Sequence, residues 1–197
     1  MMPERLKKQL DFLIEIDKVK NIFRQTYIAD GSRHENDAEH SWHLGIMAIL
    51  LSEYIKEDID ICKVIKMVLI HDLIEIYAGD TFAFDEKGME DKEEREQASA
   101  TKLFGMLPDD QEKDFRDLWN EFEECKSREA EYASMLDRLQ PLILNYVVDG
   151  GSWKEHNITV EQIYKRHEVT FRTGPKEFVD LVKFIVDECV KKGYLKA

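Results

Sequence analysis

Glycine and proline are scarce in this chain, nine and four among 197 residues, and strand-like alternation of polar and apolar positions is almost absent. That excludes a turn-rich β architecture and leaves helical periodicity as the recurring pattern. Cysteine is equally sparse. Cys62, Cys125 and Cys189 are odd in number, far apart and in no C-x-x-C arrangement, which argues against disulfides and for reduced thiols in the cytosol. Long apolar runs are missing as well: IMAILL (46–51) and MVLI (67–70) fall far short of a membrane span. The opening MMPERLKKQLDFLIEI contains no continuous apolar stretch of the kind a signal peptide needs, so a cytoplasmic protein with no membrane partner is expected. Positive charge is in deficit, with 28 Lys and Arg against 41 Asp and Glu for a formal net charge of −13. A nucleic-acid polymer is therefore not expected as a partner, although a small phosphorylated ligand needs only a few local cations.

What the chain does have is 43% hydrophobic residues and three tryptophans, the content of a globular protein with a real core. The spacing of Leu6, Leu10, Leu13, Ile14 and Val19 predicts a first helix that ends before the loop TYIADGSRHEN (26–36). Asn36 followed by Glu39 reads as a capping box, opening a second helix that carries His40 to about residue 56. Asp58 or Asp60 caps a third helix, which holds His71 and stops at Gly79. Further helices are expected at about 90–107, 109–125 and 127–147. Asn157 or Thr159 then caps a penultimate helix, and Gly174-Pro175 starts the last with proline at its first position. The acidic tract DEKGMEDKEEREQ (85–97) reads as a solvated helix face with i,i+4 charge pairs rather than a protein-binding or metal-buffering segment. The expected fold is all-α: one compact bundle of about eight helices over residues 1–197, with no linker or repeat.

Polar residues interrupt two of the apolar patterns. His71 and Asp72 lie side by side among Val64, Met67, Val68, Ile70, Leu73 and Ile74, with Glu75 three residues after Asp72. A histidine nitrogen and a carboxylate oxygen flanking one point suit a borderline or hard divalent cation. His40 sits just inside the preceding helix, so an antiparallel neighbour would bring it against His71. Asp137 lies in SMLDRLQP (134–141) among Ala133, Leu136, Leu139, Leu142 and Ile143, with Pro141 four residues on to kink or loosen the helix. A buried carboxylate needs a partner, and a metal ion is one. His40, His71, Asp72 and Asp137 are the candidate ligands. Trp42, Trp119 and Trp153 read as core or interface aromatics, and His34 and His43 as surface residues or neighbours of the ligands.

In order and helical context, AEHSWH (38–43), IHDLIEIYAGDT (70–81) and LDRLQPLI (136–143) resemble the H…HD…D signature of the HD-domain metal-dependent phosphohydrolases. More narrowly, the chain is similar to their 5′-deoxynucleotidase-like branch, over about residues 12–150, with the C-terminal helices of 151–197 expected to pack on that core. The resemblance implies that His40, His71, Asp72 and Asp137 hold one divalent ion, with manganese, cobalt, iron, zinc and nickel all compatible. It implies that Glu75 works on the reacting phosphate together with the metal ligand Asp72, that Asp80, with Thr81, contacts the sugar, and that Arg24 in KNIFRQT grips the phosphate. Arg33 or Lys20 would assist Arg24. Where some deoxynucleotidases place tryptophan directly after that arginine, this chain has Gln25.

The expected activity is that of a metal-dependent 5′-nucleotidase releasing phosphate from nucleoside, above all deoxynucleoside, 5′-monophosphates. Glu75 would transfer a proton to the leaving oxygen or from the water, or else orient ligands and waters. The alternatives are an HD phosphohydrolase acting on another nucleotide or phosphoester, or a non-catalytic nucleotide-binding domain. The presence of every ligand position argues against the last. Apolar faces on several helices lead to the expectation of a homodimer.

Overall fold

The computed structural model describes residues 2–196. Helices make up nearly all of its regular structure, as expected, and no described helix is long and apolar enough to cross a membrane. α1 (Glu4–Ile16) ends in a tight turn over Asp17–Asn21. Here the first departure appears: the stretch read as a loop is a β-hairpin, with β1 (Phe23–Tyr27) antiparallel to β2 (His34–Asn36). Phe23, Thr26 and Tyr27 suit a pleated strand. The reversal turns on Asp30-Gly31: Gly31 takes a φ of +70°, and the Asp30 carboxylate accepts a hydrogen bond from the Ser32 amide at 2.9 Å.

Asn36 closes β2 and opens α2 (Asp37–Leu50) through a complete capping box with Glu39. Asp60, rather than Asp58, caps α3 (Ile61–Ile70). The expected single helix through His71 does not stay α-helical. It tightens into a 3-10 turn over His71–Ile74, resumes as α4 (Glu75–Ala78), and ends at Gly79 with φ +77°. The tighter turn brings residues three apart onto one side, which aligns Asp72 with Glu75.

α5 (Lys92–Phe104), α6 (Asp109–Glu124) and α7 (Arg128–Val147) follow, and α7 runs unbroken through Pro141. The remainder is more divided than the sequence pattern indicated. α8 (Gly151–Glu155) is short, and the penultimate helix splits at His167 into α9 (Val160–Arg166) and α10 (Glu168–Thr173). Thr159, with Gln162, makes the capping box of α9, whereas Asn157 takes a left-handed turn. Pro175 stands just before α11 (Lys176–Lys191), its extended ψ of 154° keeping it outside the helix.

α7 is the central strut: it packs against α2, α3, α6, α10 and α11 and touches β1. Leu44, Met67, Leu136, Leu139 and Val182 belong to one buried cluster, while Phe12, Ile74, Phe104 and Trp119 belong to a second. Trp42 is the exception among the tryptophans, being 65% exposed. In the acidic tract the expected pairs Lys92–Glu96 and Asp91–Arg95 are present, but Arg95 also donates to the Ala78 and Gly88 carbonyls and to Thr81 Oγ1. The tract therefore buckles the loop after α4 onto α5 instead of lying free in solvent.

Leu136 is fully buried on the core side of the helix that carries Asp137. Leu136→Ala is predicted to lower the unfolding free energy by about 2–5 kcal/mol in urea titration. A loss below about 1 kcal/mol would contradict the central position assigned to α7.

Candidate metal centre and cleft

The structure brings His40 of α2, His71 and Asp72 of the 3-10 turn, and Asp137 of α7 to one point. His40 Nε2 lies 3.1 Å from Asp137 Oδ1 and 3.8 Å from Asp72 Oδ2. His71 Nε2 lies 3.1 Å from Asp72 Oδ2 and 3.7 Å from Asp137 Oδ1. All four residues are buried. The far side of each imidazole is tied down. His71 Nδ1 is 3.0 Å from the Val68 carbonyl, which only a protonated Nδ1 can satisfy by donating. His40 Nδ1 is 3.1 Å from Gln140 Oε1, and Gln140 in turn donates to Glu35 Oε1 at 2.6 Å. Both rings therefore turn Nε2 towards the cluster, where a bound cation would take the lone pair in place of a proton.

The donors fit a divalent ion. His71 Nε2 is buried without a hydrogen-bond partner, although it is within 3.1 Å of a carboxylate oxygen. Two imidazole nitrogens with two carboxylate oxygens suit manganese, cobalt, iron, zinc or nickel, and no cysteine sulfur is among them. The local field favours positive charge. Burial works to lower the His71 pKa, but Asp72 and Asp137 outweigh it and raise the value to about 10. Burial works to raise Asp72 and Asp137, yet His71 and Arg24 hold Asp72 below its usual range, and His40, His71 and Arg166 do the same for Asp137.

Arg24, projecting from β1, donates through Nη1 to Asp72 Oδ2 at 2.6 Å and to Asp37 Oδ1 at 3.3 Å, while its buried Nε has no partner. Asp37, Asp72 and Glu75 form an acidic group whose oxygens lie within 4.8 Å of one another. Burial, then the charges of Asp72 and Asp37, push the Glu75 carboxyl well above its ordinary range. Burial and Asp72 push Asp37 up to about 7. Asp80 is raised as well, chiefly by burial. A cleft of about 310 Å³ opens from the cluster. Arg24, Glu75, Asp80 and Thr81 line it, together with the apolar Phe82, Phe84, Met89 and Trp153.

Residues 16–178 match the HD domain family. The chain belongs to the HD domain family. It is similar along its whole length to the crystal structure of a predicted metal-dependent phosphohydrolase from Magnetospirillum magnetotacticum MS-1, with 47% identity, 100% of each chain covered and a TM-score of 0.94. An HD-domain phosphohydrolase from Listeria innocua shares the fold at 17% identity, with a TM-score of 0.62 over 93% of this chain and 86% of that one. The 5′-deoxynucleotidase HDDC2 of Dictyostelium discoideum is 30% identical over 147 residues, covering 72% of this chain and 77% of that protein. The Bos taurus protein of the same name is 26% identical over 136 residues, and the match spans 68% of this chain but only 64% of the relative.

In this HD domain two of the expected phosphate-binding side chains stand apart from the cleft. Arg33 is exposed and makes a two-pronged pair with Glu39 at 2.7 and 2.8 Å, and Lys20 pairs with Asp17 on the surface. The helix-capping carboxylate captures Arg33 because it lies nearer than the cluster. His34 stacks on Tyr27, with ring centroids 4.2 Å apart, and His43 Nδ1 lies 3.3 Å from Gln140 Nε2. Asp37, Gln140 and Arg166 carry no signal of a role in the sequence, and Glu35 has no assigned place there. Asp37 looks there like an ordinary acidic residue in a helix first turn, and the Glu35–Gln140 pair becomes visible only when α7 lies against β2. Arg166 donates to Asp137 Oδ2 at 3.2 Å from a helix outside the motif set.

His71→Ala and Asp137→Ala are expected to abolish the binding of about one divalent ion per chain, read by mass spectrometry of metal-loaded, desalted protein. Arg33→Ala keeps it. Gln140→Leu, which frees His40 Nδ1, is predicted to weaken metal affinity by about 10- to 100-fold. Unchanged affinity in that variant would contradict the orienting role of Gln140.

Proposed function

We propose that this HD domain hydrolyses nucleoside 5′-monophosphates, preferring deoxynucleosides, to nucleoside and phosphate. The observation that carries the reading is the opening of the His40–His71–Asp72–Asp137 cluster directly into a cleft with a buried carboxyl on one wall and aromatic side chains beyond it. Its volume of about 310 Å³ suits a ligand of mononucleotide size. Similarity to proteins named 5′-deoxynucleotidase supports the substrate class.

A divalent ion held by the four ligands would supply Lewis-acid polarisation of a phosphoryl oxygen and a bound water of lowered pKa. Around it the chain's own groups divide the work. Arg24 Nε, buried without a partner, donates to a phosphate oxygen while Nη1 stays on Asp72. Glu75 Oε2, also buried and unpartnered, holds its proton because of burial and the neighbouring carboxylates, and delivers it to the departing 5′ oxygen. Asp80 and Thr81, positioned by the turn at Gly79 and by Arg95, meet the sugar hydroxyl. Phe82, Phe84 and Trp153 form the apolar wall for the base, in place of the tryptophan that Gln25 replaces.

Phosphate release from a panel of nucleotides with added manganese or cobalt tests the reading. Deoxynucleoside monophosphates are expected to be turned over, and triphosphates and cyclic dinucleotides to be poor substrates. Glu75→Gln is predicted to lower kcat about 100- to 10,000-fold with metal content intact. Hydrolysis confined to cyclic dinucleotides or triphosphates, or none with any metal, would overturn the proposal.

A further inference from the structure

Acidic residues outnumber basic ones in this chain, 41 to 28, yet two arginines line the same cleft. Arg138 follows Asp137 on α7, and Arg166 ends α9; both line the cleft. Arg166 Nη2 donates to Asp137 Oδ2 at 3.2 Å, while Oδ1 of the same carboxylate faces His40 and His71. The Arg166 guanidinium thus stands one carboxylate away from the ligand cluster. Arg138 is fixed through Nη1 alone, to the Ser134 carbonyl at 2.7 Å and to Ser134 Oγ. Arg166 and Glu123 both lie near enough for their charges to act on Arg138. His167 adds no third charge. Burial and the two arginines push its pKa down to about 3, and its buried Nδ1 has no partner.

Two like charges side by side at a half-buried site are unfavourable unless an anion joins them. The resident carboxylates are already committed. Asp72 and Asp137 would offset the charge of a divalent ion, Asp72 and Asp37 pair with Arg24, and Lys92 is bonded to Glu96 at 2.6 Å with Glu123 near it. A phosphate dianion entering the cleft meets Arg24 Nε on one wall, and Arg138 and Arg166 are the further guanidinium groups that line it. Guanidinium groups also match phosphate oxygens in geometry, through parallel N–H donors.

We propose that Arg138 and Arg166, beside Asp137 of the ligand cluster, form a phosphate-binding pair of this site in addition to Arg24. This rests on the phosphohydrolase reading above and adds to it two further groups that hold the phosphate. It also gives the C-terminal helices a part in recognition, since Arg166 lies beyond the H…HD…D motifs.

Calorimetric titration of manganese-loaded protein with inorganic phosphate tests the pair without requiring turnover. Arg166→Ala and Arg138→Ala are each expected to weaken phosphate binding by about 10- to 100-fold, with metal content and melting temperature retained. Arg166→Lys should recover part of the loss, because it restores charge without the fork. If Arg166 merely orients Asp137, Arg166→Ala lowers metal affinity while phosphate affinity at saturating metal stays at the parent value, and the proposal fails. It fails equally if the parent protein binds no phosphate, or if neither alanine variant changes the affinity. Where the parent binds phosphate through these arginines but releases none from nucleotides, the nucleotidase reading fails and the phosphate pair stands. Where nucleotides are hydrolysed with KM unmoved in both variants, the reverse holds.

Discussion

Two imidazole nitrogens and two carboxylate oxygens crowd into one buried spot, separated by 3.1–3.8 Å, and the rest of the structure is arranged around that crowding. Taking two carboxylates out of water costs several kcal/mol each unless a counter-charge repays it. Hydrogen bonds among these side chains do so incompletely, since His71 Nε2 remains without one. A shared cation uses all four donor atoms at once, which explains how polar groups came to interrupt two otherwise apolar helices.

The fold serves that spot through three supports. α2 begins at a capping box and holds His40 one turn in; the 3-10 turn after α3 sets His71, Asp72 and Glu75 on one side; α7 adds Asp137 and, three residues later, the glutamine that orients His40. Because α7 is also the strut of the core, packing and ligand geometry are linked through one element. The hairpin contributes differently. It carries Arg24 to the Asp72 side of the cluster and Glu35 to Gln140, so a small sheet in a helical protein tunes both charge and ring orientation.

Much of this was legible in the residues. Helical periodicity and caps located most helices, because amphipathic spacing and N-cap side chains act locally. His71-Asp72 and Asp137 stood out because a polar pair, or a lone carboxylate, in an apolar pattern calls for compensation. Non-local features were harder to see. The Asp30-Gly31 reversal sits in a polar stretch that reads equally well as a loop until β2 pairs with β1. Arg33 reads in the sequence as a helper of Arg24, but its guanidinium is held by Glu39. Asp37 and Arg166 acquire their roles only from neighbours 35 and 29 positions away, Asp72 and Asp137, and no local pattern records such contacts.

The central claim is that His40 and His71, with carboxylates alone beside them, ligate one divalent ion. X-ray absorption spectroscopy of the cobalt-loaded protein reads that donor set directly. Two imidazole nitrogens through Nε2, completed by oxygen donors, is the predicted shell. A sulfur scatterer, which Cys125 on the cleft wall would supply, or a shell without imidazole, would contradict it.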